Sequence, residues 1–178
     1  IKGCQIAQEN WKVSSQWTLL HQVELQMIME RTSVYYYLIS LGSNYQADVN
    51  IVAGEGMLAA CFPGTKFSKV LKTKGIGLSY DCWYLNQMAL VKTELNPTLL
   101  KNALKSLEKQ CDRGRRYHAV TLDLDIVWVN GELVHKDFDK YPFLSELMED
   151  FEEYTLEDPS NAKFKVPNYF VLCGERVL

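Results

Sequence analysis

An excess of positive charge is missing: 19 Lys and Arg stand against 22 Asp and Glu, for a net charge of −3. That balance provides no overall basic field to recruit nucleic acid. Anions would have to be met by a local cluster, and the densest one runs from Lys109 to Arg116. Cysteine is sparse and scattered, at Cys4, Cys61, Cys82, Cys111 and Cys173, and no two of these form a C-x-x-C pair. Such a set argues against both a zinc site and a disulfide framework. No N-x-S/T acceptor exists, because Asn96-Pro97-Thr98 carries proline in the middle. No apolar run reaches membrane-spanning length, and no charged start followed by an apolar core marks a signal peptide. The expected setting is therefore a reduced cytoplasm, away from membranes. Residue 1 is Ile rather than Met, so a missing or processed start is expected. A phosphate-binding G-x-x-x-x-G-K-[ST] loop is absent, and Gly54-Glu55-Gly56 lacks the rest of a dinucleotide fingerprint. Those glycines are read as sites of close packing. There are no repeats and no low-complexity tract.

What is present suits an ordinary globular protein: 178 residues, 47% hydrophobic and 23% charged. The chain is organised around Val120 to Val129, where Val120, Leu122, Leu124, Ile126 and Trp128 recur at every second position. That is the period of a half-buried strand. Asp123 and Asp125 then share the opposite face, with Cα atoms roughly 7 Å apart at strand rise. Paired carboxylates repel each other, so a compensating cation is expected. Magnesium fits best, since it takes oxygen ligands and typically uses one or two carboxylates plus substrate phosphates. Arg113, Arg115, Arg116 and His118 lie just upstream, in position to meet those phosphates. The plain alternative is an open-faced strand whose two aspartates face water.

The remaining elements follow from local signals. Trp17, Leu20, Val23, Met27 and Ile28 predict an amphipathic helix within an N-terminal extension, residues 1–33. Val34 to Leu41 predicts a central strand running into the turn Gly42-Ser43-Asn44, where glycine permits unusual dihedrals. Asp48 is expected to cap a helix from Val49 to Phe62, stopped by Pro63-Gly64. Strands are predicted over Lys66 to Thr73 and Trp83 to Thr93. In the latter, Tyr84, Asn86, Met88 and Leu90 lie on one face, and Leu85, Gln87, Ala89 and Val91 on the other. Asn96 and Pro97 open a helix whose apolar stripe is Leu99, Leu100, Ala103, Leu104, Leu107 and Cys111. Asn130-Gly131 marks a hairpin with Glu132 to Val134 as its returning arm. Phe143 to Tyr154 reads as helix, residues 155–164 as loop, and Tyr169 to Cys173 as a last strand. The core order is strand, helix, strand, strand, helix, strand. It predicts an α+β fold, a ferredoxin-like antiparallel sheet with both helices on one face. The main domain is expected over residues 34–157, with a tail at 158–178 packed on it.

Three stretches carry a resemblance: Ser40-Leu41-Gly42-Ser43-Asn44, Tyr84-Leu85-Asn86-Gln87-Met88-Ala89-Leu90-Val91-Lys92-Thr93, and Thr121-Leu122-Asp123-Leu124-Asp125-Ile126. In this order and at these intervals the chain resembles the 6-hydroxymethyl-7,8-dihydropterin pyrophosphokinase family, as a divergent member, over roughly Tyr35 to Val134. The resemblance implies magnesium-dependent transfer of pyrophosphate from ATP to a reduced pterin, within folate biosynthesis. It implies Asp123 and Asp125 as ligands of two magnesium ions, and Asn86 as the group recognising the pterin edge. Tyr84 and Asn44 would belong near the same pocket, and Tyr117 would stack where the family usually has Trp. Arg113, Arg115 and Arg116 would hold the nucleotide, with Arg113 and Arg116 acting in catalysis. Departures are Val120 in place of an arginine, and Lys74-Gly75-Ile76-Gly77 in place of a Pro-Pro-Leu-Gly loop. After the hairpin only His135 and Tyr141-Pro142-Phe143 stand near the family's further elements. A relative using another acceptor, and a non-catalytic ligand- or partner-binding module on the same fold, remain alternatives. RNA binding ranks lower for want of an RNP-type pattern, and a D-x-D glycosyltransferase lower still.

Overall fold

The computed structural model describes residues 34–76, 81–111, 119–152, 155–157 and 163–165. The predicted N-terminal helix, the arginine cluster after Cys111 and the strand expected at Tyr169 to Cys173 lie outside the described residues. The chain divides into two units, Ile1–Ser33 and Val34–Leu178, and all described residues belong to the second.

That unit begins with β1 (Tyr35–Ser43), α1 (Ala47–Cys61), β2 (Lys66–Phe67), β3 (Leu71–Lys74) and β4 (Trp83–Thr93). It continues with α2 (Pro97–Gln110), β5 (Asp123–Val129), β6 (Glu132–Leu133), a 3₁₀ turn (Phe138–Lys140), α3 (Pro142–Met148) and a second 3₁₀ turn (Glu149–Phe151). The short strands β7 (Thr155–Glu157) and β8 (Lys163–Lys165) pair antiparallel with each other. The main sheet has six strands in the order β2-β4-β1-β5-β6, with β3 also on β4, and every pairing is antiparallel. Among the described residues no helix is long and apolar enough to cross a membrane.

Position in the sheet explains the composition of each strand. β1 is central, so it is apolar on both faces: Tyr36, Tyr37, Leu38, Ile39 and Leu41 are all buried. Tyr37, Ile39 and Leu41 pack with Ala89, Val91, Leu122 and Leu124 beneath Ile51 and Leu58 of α1 and Leu100, Leu104 and Leu107 of α2. On the other face, Tyr36, Leu38, Met88 and Leu90 pack with Trp128 and with Leu144, Leu147 and Met148 of α3. Each strand changes character along this second face. β1 goes from Tyr36 and Leu38 to Ser40 and Gly42, β4 from Leu90 and Met88 to Asn86 and Tyr84, and β5 from Trp128 to Asp125 and Asp123. Small and polar side chains thus gather at one end of the sheet, where α3 no longer covers it.

Several sequence expectations change. β5 carries a bulge: Leu38 pairs with Trp128 but Ile39 pairs with Ile126, leaving Val127 as the extra residue. A bulge breaks the two-residue period, so Trp128 leaves the face of Leu122 and Leu124 and joins the α3 side together with Val127. Strand pairing begins at Asp123 rather than Val120, whose backbone is held by the Gly-Ser-Asn turn instead. α1 starts earlier than expected; its N-cap position is Gln46, at φ 43°, and Asp48 sits in the first turn, where the helix dipole favours it. The predicted strand over Lys66 to Thr73 is interrupted at Ser68, whose hydroxyl, not its carbonyl, accepts the Met88 N–H at 2.9 Å. Leu99 is 51% exposed, off the buried stripe of α2. The helix expected through Tyr154 closes at Met148 into a 3₁₀ turn, and the expected loop at residues 155–164 contains β7 and the first two residues of β8. Close packing holds for Gly54, where a Cβ would lie 3.0 Å from Leu122 and 3.2 Å from Leu41, but Gly56 faces open space. At the hairpin, Asn130 and Gly131 take φ 46° and 106°, as a two-residue connection of this kind demands.

Candidate active site

The polar end of the sheet floors a cleft of about 440 Å³. Ser40 and Gly42 of β1, Tyr84 and Asn86 of β4, and Asp123 and Asp125 of β5 form its base. Antiparallel register sets these neighbours: Gly42 faces Asn86 on one side and Asp123 on the other, and Ser40 faces Asp125. The two aspartates therefore project from one face, both exposed, with Leu124 buried between them.

Gly42 matters here through size rather than through an unusual dihedral, because its φ is not positive. A Cβ on Gly42 would lie 3.3 Å from Asn86 Oδ1, so glycine leaves room for that amide. Asn86 is 5% exposed and its Nδ2 donates to Thr73 Oγ1 at 2.7 Å. This bond fixes the amide's orientation and leaves Oδ1 to serve as an acceptor. Tyr84, half-buried, stands on the same face two residues along.

Asn44 does not line the cleft. Its Oδ1 accepts from Val120 N–H at 2.6 Å, while the Asn44 and Tyr45 N–H groups donate to Val120 O at 3.0 and 3.3 Å. The turn thereby anchors the entry to the aspartate strand. Val120, expected to belong to the core by alternation with Leu122, is half-buried and lines the cleft. Arg113, Arg115, Arg116 and Tyr117 lie outside the described residues.

The far wall is formed by residues to which the sequence reading gave no role. His135, Asp137, Tyr141 and Phe143 all line the cleft. His135 meets Tyr141 edge-on at 6.0 Å between ring centroids, and Tyr141 lies 5.7 Å from Phe143. His135 Nδ1 is buried with no hydrogen-bond partner among the described residues. Lys140 Nζ, 2.5 Å from Asp137 Oδ1, holds that carboxyl below the usual carboxylate range, chiefly through the hydrogen bond. The pair is solvent-exposed and so adds little to stability. The available signal was a His and two aromatics shortly after a hairpin, which is too common to single out.

A second hollow, of about 960 Å³, runs along the outer edge of β5 beside α2. Lys101, Lys105 and Lys136 line it, as does Glu108. Asp123, Asp125, His135 and Asp137 line both hollows. The aspartate pair therefore stands on the boundary between a cleft with an amide and aromatic walls and a groove with lysines. Among the described residues no three His, Cys, Asp or Glu side chains gather as a metal cage. Two carboxylates at the junction of two substrate-sized hollows are a donor set that suits magnesium, which completes its shell with phosphate and water oxygens.

The family model described as 7,8-dihydro-6-hydroxymethylpterin-pyrophosphokinase matches residues 38–153. The match spans both hollows' strands, from β1 to α3. No curated protein matches the chain.

Proposed function

Because the chain belongs to the 7,8-dihydro-6-hydroxymethylpterin-pyrophosphokinase family, we propose that it transfers the pyrophosphoryl group of ATP to the hydroxymethyl group of a reduced pterin. In that reaction the hydroxymethyl O–H gives its proton to solvent as the oxygen bonds to the β-phosphorus, the bond from that phosphorus to the α–β bridging oxygen breaks, and AMP leaves. The observation that carries the reading is the position of Asp123 and Asp125 on the boundary of both hollows. A transfer between two bound molecules needs its charge-stabilising groups at the point where they meet.

Each side chain has a part under this reading. Asp123 and Asp125 would hold two magnesium ions, which when bound supply positive charge to the phosphate oxygens and align donor and acceptor. Asn86 would receive a ring N–H of the pterin on Oδ1, with Thr73 keeping the amide from turning. Tyr84 and Tyr117 would contribute aromatic walls, since a flat heterocycle gains from stacked or edge-on contact. Lys101 and Lys105 would face the nucleotide. Arg113 and Arg116 would meet the transferring phosphates and Arg115 the rest of the triphosphate, because a planar guanidinium suits phosphate oxygens. Asn44 would act at one remove, by anchoring Val120 ahead of the aspartate strand. The strand order, with α1 and α2 on one face, supports the ferredoxin-like arrangement read from the element order.

A second reading, the same chemistry on another acceptor, is favoured by Val120 and by Lys74-Gly75-Ile76. These line the cleft where the resembling family places an arginine and a proline-rich loop. Incubation with ATP, magnesium and 6-hydroxymethyl-7,8-dihydropterin separates the two. AMP and a pterin diphosphate are expected. Mg–ATP binding without pterin-dependent AMP would favour the other acceptor, and absence of both would end the enzyme reading.

A further inference from the structure

The strand carrying the two aspartates is supported unequally. On its inner side β5 pairs with β1 along its length, but on its outer side β6 meets only Trp128 and Val129. From Asp123 to Ile126 the outer edge has no strand beside it among the described residues, and such an edge leaves backbone groups turned outward. At Leu124 that edge is closed by a side chain. Glu108 Oε1 accepts from Leu124 N–H at 2.9 Å in a buried bond. Glu108 is only 7% exposed and sits on the buried face of α2 with Leu100, Leu104 and Leu107. A carboxylate in that company is costly unless it answers a specific donor. The helix that presents it is itself fixed, with Asn96 Oδ1 accepting from Leu99 N–H at 3.0 Å and Pro97 at its first turn.

We propose that Glu108 is a positioning residue for the aspartate pair. By holding the Leu124 N–H from outside the sheet, it fixes the backbone between Asp123 and Asp125 and so sets the spacing and direction of their carboxylates. Magnesium demands near-ideal octahedral geometry, and loosening the support of a ligand typically costs 10–100-fold in metal affinity or activity. The inference rests on reading the pair as the magnesium site.

Two conservative variants separate positioning from charge. Glu108→Gln keeps an Oε1 acceptor at the same reach and gives up the charge. Glu108→Asp keeps the charge and draws it back by one methylene, away from Leu124 N–H. Hydrogen exchange of the Leu124 amide, measured by NMR on the full chain without ligands, reads the bond directly. Calorimetry with Mg–ATP reads the site, and kcat against KM for AMP formation reads its use. Glu108→Gln should keep Leu124 protected and Mg–ATP affinity within about threefold. Glu108→Asp should speed Leu124 exchange and weaken Mg–ATP binding by about tenfold or more, with kcat falling more than the acceptor's KM rises. Equal Mg–ATP affinity in Glu108→Asp, despite an exposed Leu124 amide, would overturn the proposal while leaving the magnesium site intact. So would a Gln variant that binds as poorly as the Asp variant with its amide still protected, since charge at Glu108 would then act directly. Failure of the unaltered protein to bind Mg–ATP would sink the magnesium reading, and this inference with it.

Discussion

Asp123 and Asp125 share one face of β5 with a single buried leucine between them, and neither is needed by the core. Replacing either with Asn removes mutual repulsion without creating a cavity. Asp123→Asn and Asp125→Asn should therefore each still fold. Each should weaken Mg–ATP binding in calorimetry and lower AMP formation by about 10³-fold or more, the scale of a lost charge on a transferring phosphoryl group. Unchanged Mg–ATP affinity in both variants would remove the site from consideration. Asn86 makes the opposite demand, because its amide is buried and already bonded to Thr73. Under the proposed function, Asn86→Ala would leave a pterin N–H unanswered in the cleft, at about 1–3 kcal/mol for a buried group, besides removing the bond to Thr73. Fluorescence titration should show pterin affinity falling by roughly tenfold or more, with Mg–ATP affinity retained. Loss of both affinities together would point to collapse of the cleft rather than to recognition.

At the scale of elements, the two glycines of α1 make a paired test of packing. Gly56 faces open space, so Gly56→Ala should gain helix propensity and stabilise the protein by about 0.5–1 kcal/mol in chemical denaturation. Gly54 approaches Leu122 and Leu41 closely, so Gly54→Val should overpack that contact and destabilise by about 1–3 kcal/mol. A similar response at both positions would contradict the packing of α1 on the sheet. The pair also shows what the sequence could convey. Both glycines read alike there, because a helical pattern does not say which side meets a neighbour. β4 and α2 were legible because local chemistry dictated them: a long, largely apolar run in the first, an Asn cap and first-turn proline in the second. The aspartate face was legible for the same reason. Trp128 was not, because the bulge at Val127 shifts the alternation and is fixed by pairing with a strand some 90 residues earlier. The placing of His135, Tyr141 and Phe143 on the cleft, and the Glu108 contact with Leu124 16 residues on, likewise come from tertiary packing that no local pattern announces.

At the scale of the whole molecule the question is where positive charge for the phosphates originates, since the chain is net negative at −3. The resembling family sets an arginine immediately ahead of its aspartate strand; here that position is Val120, whose side chain lines the cleft. Its backbone N–H and C=O are both bound to the Asn44 turn, so changing the side chain alters the charge without moving the strand. The arginines at 113, 115 and 116 are the nearest alternative source along the sequence. At least one of Arg113→Ala, Arg115→Ala and Arg116→Ala should reduce AMP formation by on the order of 10³-fold. Val120→Arg should raise the unaltered protein's rate and restore part of what the most damaging alanine variant loses. Mg–ATP affinity should change less than kcat in these variants, because charge placed on a transferring group acts mainly in the transition state. If all three alanine variants keep full activity, the charge comes from elsewhere, and Lys101 and Lys105 in the neighbouring groove become the groups to replace. If Val120→Arg restores nothing to an arginine variant that has lost its activity, the valine marks a change of acceptor rather than a displaced charge.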